Sequence, residues 1–476
     1  MKFGTSGLRG LASDLTTPVS ARYCQAFLEH LEAHGLFSAG SNVFLGRDYR
    51  SSSPELLQYC AAGIKQAGGV PVDCGVLPTP ALAHHAMQQD SPSIMITGSH
   101  IPEDRNGIKF YRPDGEITKS DEAAICERVE QSPGSNLLPQ NVDQNQSEAA
   151  QFLFMERLEQ MFPDGQNALL SGMRVGVYEH SSVGRDMLIR ILQFYGATVV
   201  PFGRSERFIA VDTEALSDET RQLLKTQSVQ HQLDAIVSTD GDADRPLLAD
   251  ETGSAVPGDL LGMITAEFIT AEAIVTPISS NSGIAFSAGD QVSLTKIGSP
   301  YVLEKIAEKL NDGKRTVGFE ANGGFILASS FRNADFEAIA LPTRDCFLPV
   351  LAVLATAARQ KRSLSDLIGQ LGYPVTRSGL LRETPTELSR ALLNRLQSNP
   401  NALAEFLSTV GEVQDTNSLD GLRIRLNEDR IVHLRPSGNA PEMRCYVEAS
   451  SAAVADELLA LMLKLISAAL HNQAKN

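Results

Sequence analysis

Positive charge is in short supply: 41 lysines and arginines face 57 aspartates and glutamates over 476 residues, a formal charge of −16. Such a surface repels a phosphate backbone, which excludes non-specific nucleic-acid binding and leaves small anions enclosed in a local cationic pocket. Cysteine is sparse too. Cys24, Cys60, Cys74, Cys126, Cys346 and Cys445 show neither CxxC pairing nor metal-ligand spacing, so they read as small buried apolar residues of a reduced, cytoplasmic protein. No apolar run reaches the roughly 18 residues of a membrane helix. The amino terminus MKFGTSGLRG lacks an apolar signal core, so neither export nor membrane insertion is expected.

What is present is an ordinary soluble composition, with 42% hydrophobic and 21% charged residues, too apolar for a disordered chain. A chain of this length exceeds one hydrophobic core, so several domains of about 100 to 150 residues are expected. One local pattern recurs. Val43 to Cys74 reads strand, polar turn (GRDYRSSSPE), amphipathic helix, Gly-Gly, strand; Met173 to Gly203 reads strand, turn (EHSSVGRD), helix, Tyr-Gly, strand. A less regular third version starts at Ala273 and includes a helix from about Val302 to Leu310. Strands alternating with helices imply parallel βαβ units and an α/β fold. The polar segment from Glu130 to Glu148 reads as a linker, and further boundaries fall near Val256–Asp259 and Gly372–Pro374. The resulting division is 1–140, 148–256, 257–373 and 374–476. Beyond Pro374 the pattern turns α+β: a short strand, helices such as Glu387 to Leu396, strands at Leu422–Leu426 and Ile431–Leu434, and a final helix.

Four strand ends carry chemistry. The apolar run Ile94-Met95-Ile96 opens into Thr97-Gly98-Ser99-His100, which places Ser99 just beyond a strand's carboxyl end, where open α/β sheets bind ligands. A serine there can equally cap the next helix. The run does not match the G-x-S-x-G nucleophile elbow. After Leu233 to Thr239 come Asp240, Asp242 and Asp244, followed by Arg245; carboxylates at i, i+2 and i+4 in a Gly-containing loop can converge on one hard cation. Pro246 and Leu247-Leu248 break any EF-hand continuation. Glu320-Ala321-Asn322-Gly323-Gly324 offers acceptors and donors suited to vicinal sugar hydroxyls, although a plain turn accounts for it as well. The last is Arg435-Pro436-Ser437-Gly438-Asn439, running on to Arg444, whose backbone donors and arginines form an anion nest or else a rigid surface turn.

Taken in order, these motifs resemble those of the α-D-phosphohexomutase superfamily, which comprises phosphomannomutases, phosphoglucomutases and phosphoglucosamine mutases. Phe3 to Gly10 resembles its amino-terminal signature, Thr97 to Pro102 its phosphoserine loop, Asp240 to Arg245 its metal loop, and Glu320 to Gly324 and Arg435 to Arg444 its sugar and phosphate loops. The resemblance implies four domains around a central cleft, three of similar α/β topology and a smaller α+β one at the carboxyl end. It implies that Ser99 carries a phosphoryl group and that Asp240, Asp242, Asp244 and the Ser99 phosphate hold Mg²⁺. Arg9, His100 and Arg245 would supply donors near that phosphate, and Lys109 would act as general base. Lys296, Glu320 and Asn322 would read the sugar; Arg435, Ser437, Gly438, Asn439 and Arg444 would take its phosphate.

Three departures stand out. Asn322 replaces the usual serine of the sugar loop, Gly324 replaces the histidine of many members, and Asn439-Ala440 replaces a Thr-Glu pair. Ala321-Asn322 is neither the Gln-Ser of the phosphoglucosamine mutase loop nor the Met-Ser of the usual mannose/glucose loop. It resembles a variant found mostly among phosphomannomutases, so the expected reaction interconverts mannose 6-phosphate and mannose 1-phosphate for nucleotide-sugar synthesis. A glucose or glucosamine substrate is the alternative within the family. Outside it stand a hexose-phosphate binding protein without turnover and a metal-dependent phosphatase. A monomer or homodimer is expected.

Overall fold

The computed structural model describes residues 2–4, 7–131, 136–333, 335–436 and 441–475. Close contacts divide the chain into two units, one of residues 1–275 and 303–368, the other of residues 276–302 and 369–476. The chain therefore leaves the first unit and returns to it before ending in the second.

In the first unit, the leading sheet runs in the order Lys2–Phe3, Leu8–Leu11, Arg105–Arg112, Ser93–Ile96, Asn42–Arg47, Val70–Val76 and Gln144–Asn145. Asn42–Arg47 is parallel to both Val70–Val76 and Ser93–Ile96, and is buried on both faces as a central parallel strand must be. Ser93–Ile96 then pairs antiparallel with Arg105–Arg112. Helices Pro18–Ala33, Ser53–Gln66 and Thr79–Met87 each carry a proline in the first turn, where its missing N–H costs nothing. Phe27, Leu56, Cys60, Ile64, Ile94, Ile96 and Phe110 fill the core between helices and sheet.

The second sheet repeats that order: Thr198–Phe202, Arg174–Tyr178, Ala235–Thr239 and Pro246–Ala249, parallel until the last pair. A third sheet repeats its end, with Ala273–Pro277 parallel to Thr316–Phe319 and the latter antiparallel to Phe325–Leu327. Leu341–Asp345 extends it antiparallel. The recurrence read in the sequence is thus a recurrence of topology.

The stretch read as a plain linker is more than that. Gln144–Asn145 closes the edge of the first sheet against Val72–Asp73, the Gln140 amide donates to the Gln58 carbonyl at 3.0 Å, and a helix follows at Ser147–Gln160. Its side chains are polar because the strand is an exposed edge, and backbone pairing alone holds it.

The second unit is built on a five-stranded antiparallel sheet in the order Val375–Leu381, Met443–Ala449, Ile431–Pro436, Leu422–Leu426 and Val413–Asn417. Helices Thr386–Ser398 and Ala452–Lys475 cover it, with Leu392, Leu396, Ile424, Val432, Leu434, Val447, Met462 and Ile466 as core. Residues 276–302 are tied to this unit by side chains: Glu448 accepts from the amide and hydroxyl of Ser282, and Asp420 accepts from the Ile297 amide at 2.8 Å. Among the described residues no helix is long and apolar enough to cross a membrane.

Candidate active site

The first unit brings together the loops after Ile96, Thr239 and Phe319. Ser99 follows Ser93–Ile96 in left-handed backbone, φ 56°, with its side chain fully buried. A non-glycine residue adopts that conformation only where the surroundings fix it. Here Asp48 and Arg50 do so. Asp48 accepts from the Thr97 hydroxyl at 2.8 Å and from Arg50 Nε at 3.1 Å, and Thr97 Oγ1 in turn accepts from the Ser99 amide at 2.8 Å. The Arg50 guanidinium donates to the carbonyls of Ser99, Ile101, Pro102 and Arg105 at 2.6–3.0 Å. One buried cation thus satisfies four loop carbonyls.

Ser99 Oγ donates to Asp240 Oδ2 at 2.5 Å and lies 3.2 Å from His100 Nδ1. Asp240, Asp242 and Asp244 are fully buried, and one oxygen of each lies within 4.8 Å of the others. Lys109, on Arg105–Arg112, donates to Asp242 Oδ2 and Asp244 Oδ2, both at 2.5 Å. Thr79 also donates to Asp242 Oδ2, at 2.6 Å. Asp242 Oδ1 and Asp244 Oδ1 have no hydrogen-bond partner although buried. Two orphaned carboxylate oxygens in a convergent triad are what a hard divalent cation would satisfy, so the residues fit a metal ion.

Three carboxylates in one dry place do not ionise alike. Burial, and then the neighbouring Asp242 and Asp244, push the Asp240 carboxyl well above the ordinary range. Burial acts the same way on Asp244, but Arg344, Lys109 and Arg245 outweigh it and hold that carboxyl well below the ordinary range. Arg245 lies 3.9 Å from Asp240 and 3.7 Å from Asp244, and its Nη1 donates to His100 Nδ1 at 2.8 Å. Burial first, then Arg245 and Arg9, push the His100 imidazole well below its ordinary value, so the ring is neutral and Nδ1 is its acceptor. Arg9 lies half-buried opposite Gly107, two residues from Lys109. Burial and then Arg245 push its guanidinium down to about 10, with Asp242 opposing.

From the third sheet come Glu320 and Asn322, both buried. Asn322 Oδ1 accepts from the Gly324 amide at 3.0 Å and its carbonyl from Thr213 at 2.9 Å, so part of this side chain shapes the loop itself. The remaining candidates belong to the second unit. Lys296 is exposed, its Nζ 5.8 Å from the Tyr301 ring centre. Arg435 and Arg444 are directly opposed on neighbouring antiparallel strands, and Arg435 Nε donates to Asp420 at 3.1 Å. Like charges set side by side repel unless an anion joins them. Ser437, Gly438 and Asn439 lie outside the described residues.

Sequence reasoning missed Asp48, Arg50, Thr79, Glu116 and Arg344. Asp48 and Arg50 sit in what reads as a polar turn, and Arg344 stands beside Asp345 at the end of a short strand. The one available signal is the adjacent pair of charges Arg344-Asp345 on a strand, which are costly to bury unless paired.

Fold and site together define a multidomain α/β protein with a buried serine set against a candidate divalent-metal centre. Models of the phosphoglucomutase/phosphomannomutase family match in sequence: alpha/beta/alpha domain I at residues 1–134, domain II at 153–253, domain III at 257–372 and the C-terminal domain at 390–465. The chain is 47% identical to a phosphomannomutase of Sinorhizobium fredii over 98% of its own length and 99% of that protein's. It is 42% identical to a phosphomannomutase of Salmonella muenchen over 95% and 92%. A solved structure of a putative phosphomannomutase from Thermus thermophilus shares the fold, with a TM-score of 0.74 at 22% identity over 98% and 99% of the two chains. The chain belongs to the phosphoglucomutase/phosphomannomutase family and has its four-domain α/β architecture.

Proposed function

We propose that this chain is a phosphomannomutase that interconverts mannose 6-phosphate and mannose 1-phosphate through a phosphoserine at Ser99 and a hexose 1,6-bisphosphate. The observation that carries the reading is the Ser99 hydroxyl, buried and fixed in left-handed backbone 2.5 Å from Asp240 of the acidic triad. Kinship over nearly the whole chain with two phosphomannomutases supports mannose as the sugar. Asp240, Asp242, Asp244 and the Ser99 phosphate would hold Mg²⁺, which when bound offsets charge on the transferring phosphoryl group.

A single sugar cannot pass its phosphoryl group between distant C1 and C6 oxygens in one in-line displacement, so a carrier divides the task. The bond from Ser99 Oγ to phosphorus breaks as one from the free sugar hydroxyl to phosphorus forms. Lys109, acting as a neutral amine, takes the hydroxyl proton and gives one back to Ser99 Oγ, which becomes again the hydroxyl that donates to Asp240. The bisphosphate turns over and the second phosphate returns to Ser99. Arg245 and Arg9 donate to the transferring group, and neutral His100, whose Nδ1 accepts from Arg245, keeps its proton on Nε2 as a further donor near that phosphate. Glu320, Asn322 and Lys296 read hydroxyls that exchange places between the two orientations. Arg435 and Arg444, with Ser437, Gly438 and Asn439, take the phosphate that is not reacting. We place the domain boundaries at 1–140, 148–256, 257–373 and 374–476, and the enzyme in the cytoplasm, supplying a sugar 1-phosphate for nucleotide-sugar synthesis.

The test combines peptide mapping of Ser99 with coupled assays on mannose, glucose and glucosamine 1-phosphates at equal concentration. The expected result is a mass increase of about 80 Da on Ser99 that discharges with sugar phosphate and Mg²⁺, together with preference for mannose. Preference for glucosamine sinks the substrate assignment; a Ser99 that is never charged, even by a hexose bisphosphate, sinks the mechanism.

A further inference from the structure

Arg344 lies on Leu341–Asp345 and is 1% exposed, yet it meets three carboxylates from three parts of the first unit. Its Nη2 is 2.9 Å from Asp244 Oδ2, its Nε 3.3 Å from Glu116 Oε1 and its Nη1 3.6 Å from Glu320 Oε2. Glu116 Oε1 also accepts from the Thr343 hydroxyl at 3.1 Å and the Arg344 amide at 3.4 Å, which anchors the strand as well as the side chain. The planar fork of a guanidinium fixes the directions of the groups it pairs with, which a lysine ammonium does not.

Gly324 makes room for it. A Cβ there would stand 2.9 Å from Arg344 Cδ, closer than packed atoms come, with Arg344 Cγ at 3.1 Å and Asn322 Oδ1 at 3.2 Å also crowded. A side chain at position 324 and Arg344 in this place are therefore mutually exclusive, and position 324 is where many family members carry histidine.

We propose that Arg344 is a positioning residue that sets the acidic triad and the sugar loop in register, fixing Asp244 through one nitrogen and attracting Glu320 by charge at longer range through another, a role opened by the glycine at 324. It rests on the phosphotransfer reading for the meaning of the sugar loop, but its link to Asp244 is testable without turnover. Mn²⁺ is titrated into the full-length protein without sugar and followed by electron paramagnetic resonance, and KM and kcat for mannose 1-phosphate are measured separately. Arg344→Lys keeps the charge and loses the fork; the expected result is Mn²⁺ affinity weakened about 10-fold to 100-fold, a KM raised about tenfold, and an unchanged circular-dichroism spectrum.

Gly324→Ala alters no charge and touches no triad residue; its Cβ crowds Arg344 most closely and Asn322 Oδ1 next, and only Arg344 of the two touches the triad, so a weaker Mn²⁺ affinity in that variant points to Arg344. It decides the matter if Arg344→Lys does not fold. Wild-type Mn²⁺ affinity in Gly324→Ala, or in a folded Arg344→Lys, overturns the proposal. If the wild-type protein turns over no hexose phosphate, the functional reading fails instead, and the Mn²⁺ titrations still judge the link to Asp244.

Discussion

At the scale of single residues, burial without full pairing sets how this protein answers to acid. His84 in the first unit and His433 in the second are both buried, each with an Nδ1 that has no hydrogen-bond partner. His433 Nε2 lies 2.6 Å from the Asp420 carbonyl. Burial, the largest cause in each case, pushes both imidazoles down to about 4. An unfolded histidine takes up its proton near pH 6.5, whereas these two stay neutral in the folded state until about pH 4. The unfolded state therefore binds more protons in between, and stability is lost as the pH falls through that window. Each histidine contributes a loss of roughly 3 kcal/mol, complete by about pH 4. Unfolding followed from about pH 7 to about pH 4.5 is expected to show a steep fall in midpoint. His84→Phe or His433→Phe should flatten it, and a variant curve parallel to the wild type contradicts the assignment.

At the scale of elements, the carrier loop is held by the interlocking of two loops with a helix entry as well as by its own hydrogen bonds. Arg50, just ahead of helix Ser53–Gln66, fills the space beside Gly98, where a Cβ would stand 2.6 Å from its Cζ. Gly98→Ala is expected to push Arg50 aside, release the four carbonyls it holds, and lower kcat by about a hundredfold through misplacement of Ser99, while the sheet stays folded. A kcat within about threefold of wild type shows that the loop holds its shape without Arg50. The same geometry explains what was legible. Ser99, the aspartate triad and Arg245 could be read because each motif is contiguous and follows an apolar strand. Asp48 and Arg50 could not, because their meaning lies in contacts across some 50 positions of sequence. Arg344 and Glu116 were hidden for the same reason, being charges far apart in sequence that become a pair only when their strands meet. Gln144–Asn145 escaped because an exposed edge strand needs no apolar pattern.

At the scale of the whole molecule, sequence similarity and physical contact divide the chain differently. The third family model spans 257–372 without a break, whereas contacts assign 276–302 to the same unit as 369–476. The reason is chemical: Glu448 holds the Ser282 hydroxyl and amide, Asn281 Nδ2 donates to the Pro374 carbonyl at 2.8 Å, and Asp420 holds both the Ile297 amide and Arg435. Asp420 thus holds both Arg435, assigned here to phosphate, and the backbone amide next to Lys296, assigned to sugar, within one unit. A chain ending at residue 372 keeps the third family model whole yet removes every one of those partners. Each lost hydrogen bond is worth on the order of 1 kcal/mol, so amides of 281–297 should exchange with deuterium at least about tenfold faster in that shortened chain than in the full one. Amides in 235–249, within the first unit, should be unchanged. Equal protection of 281–297 in both chains would mean that this segment is held by the strand that leads into it, and that the unit seen in the contacts does not act as one.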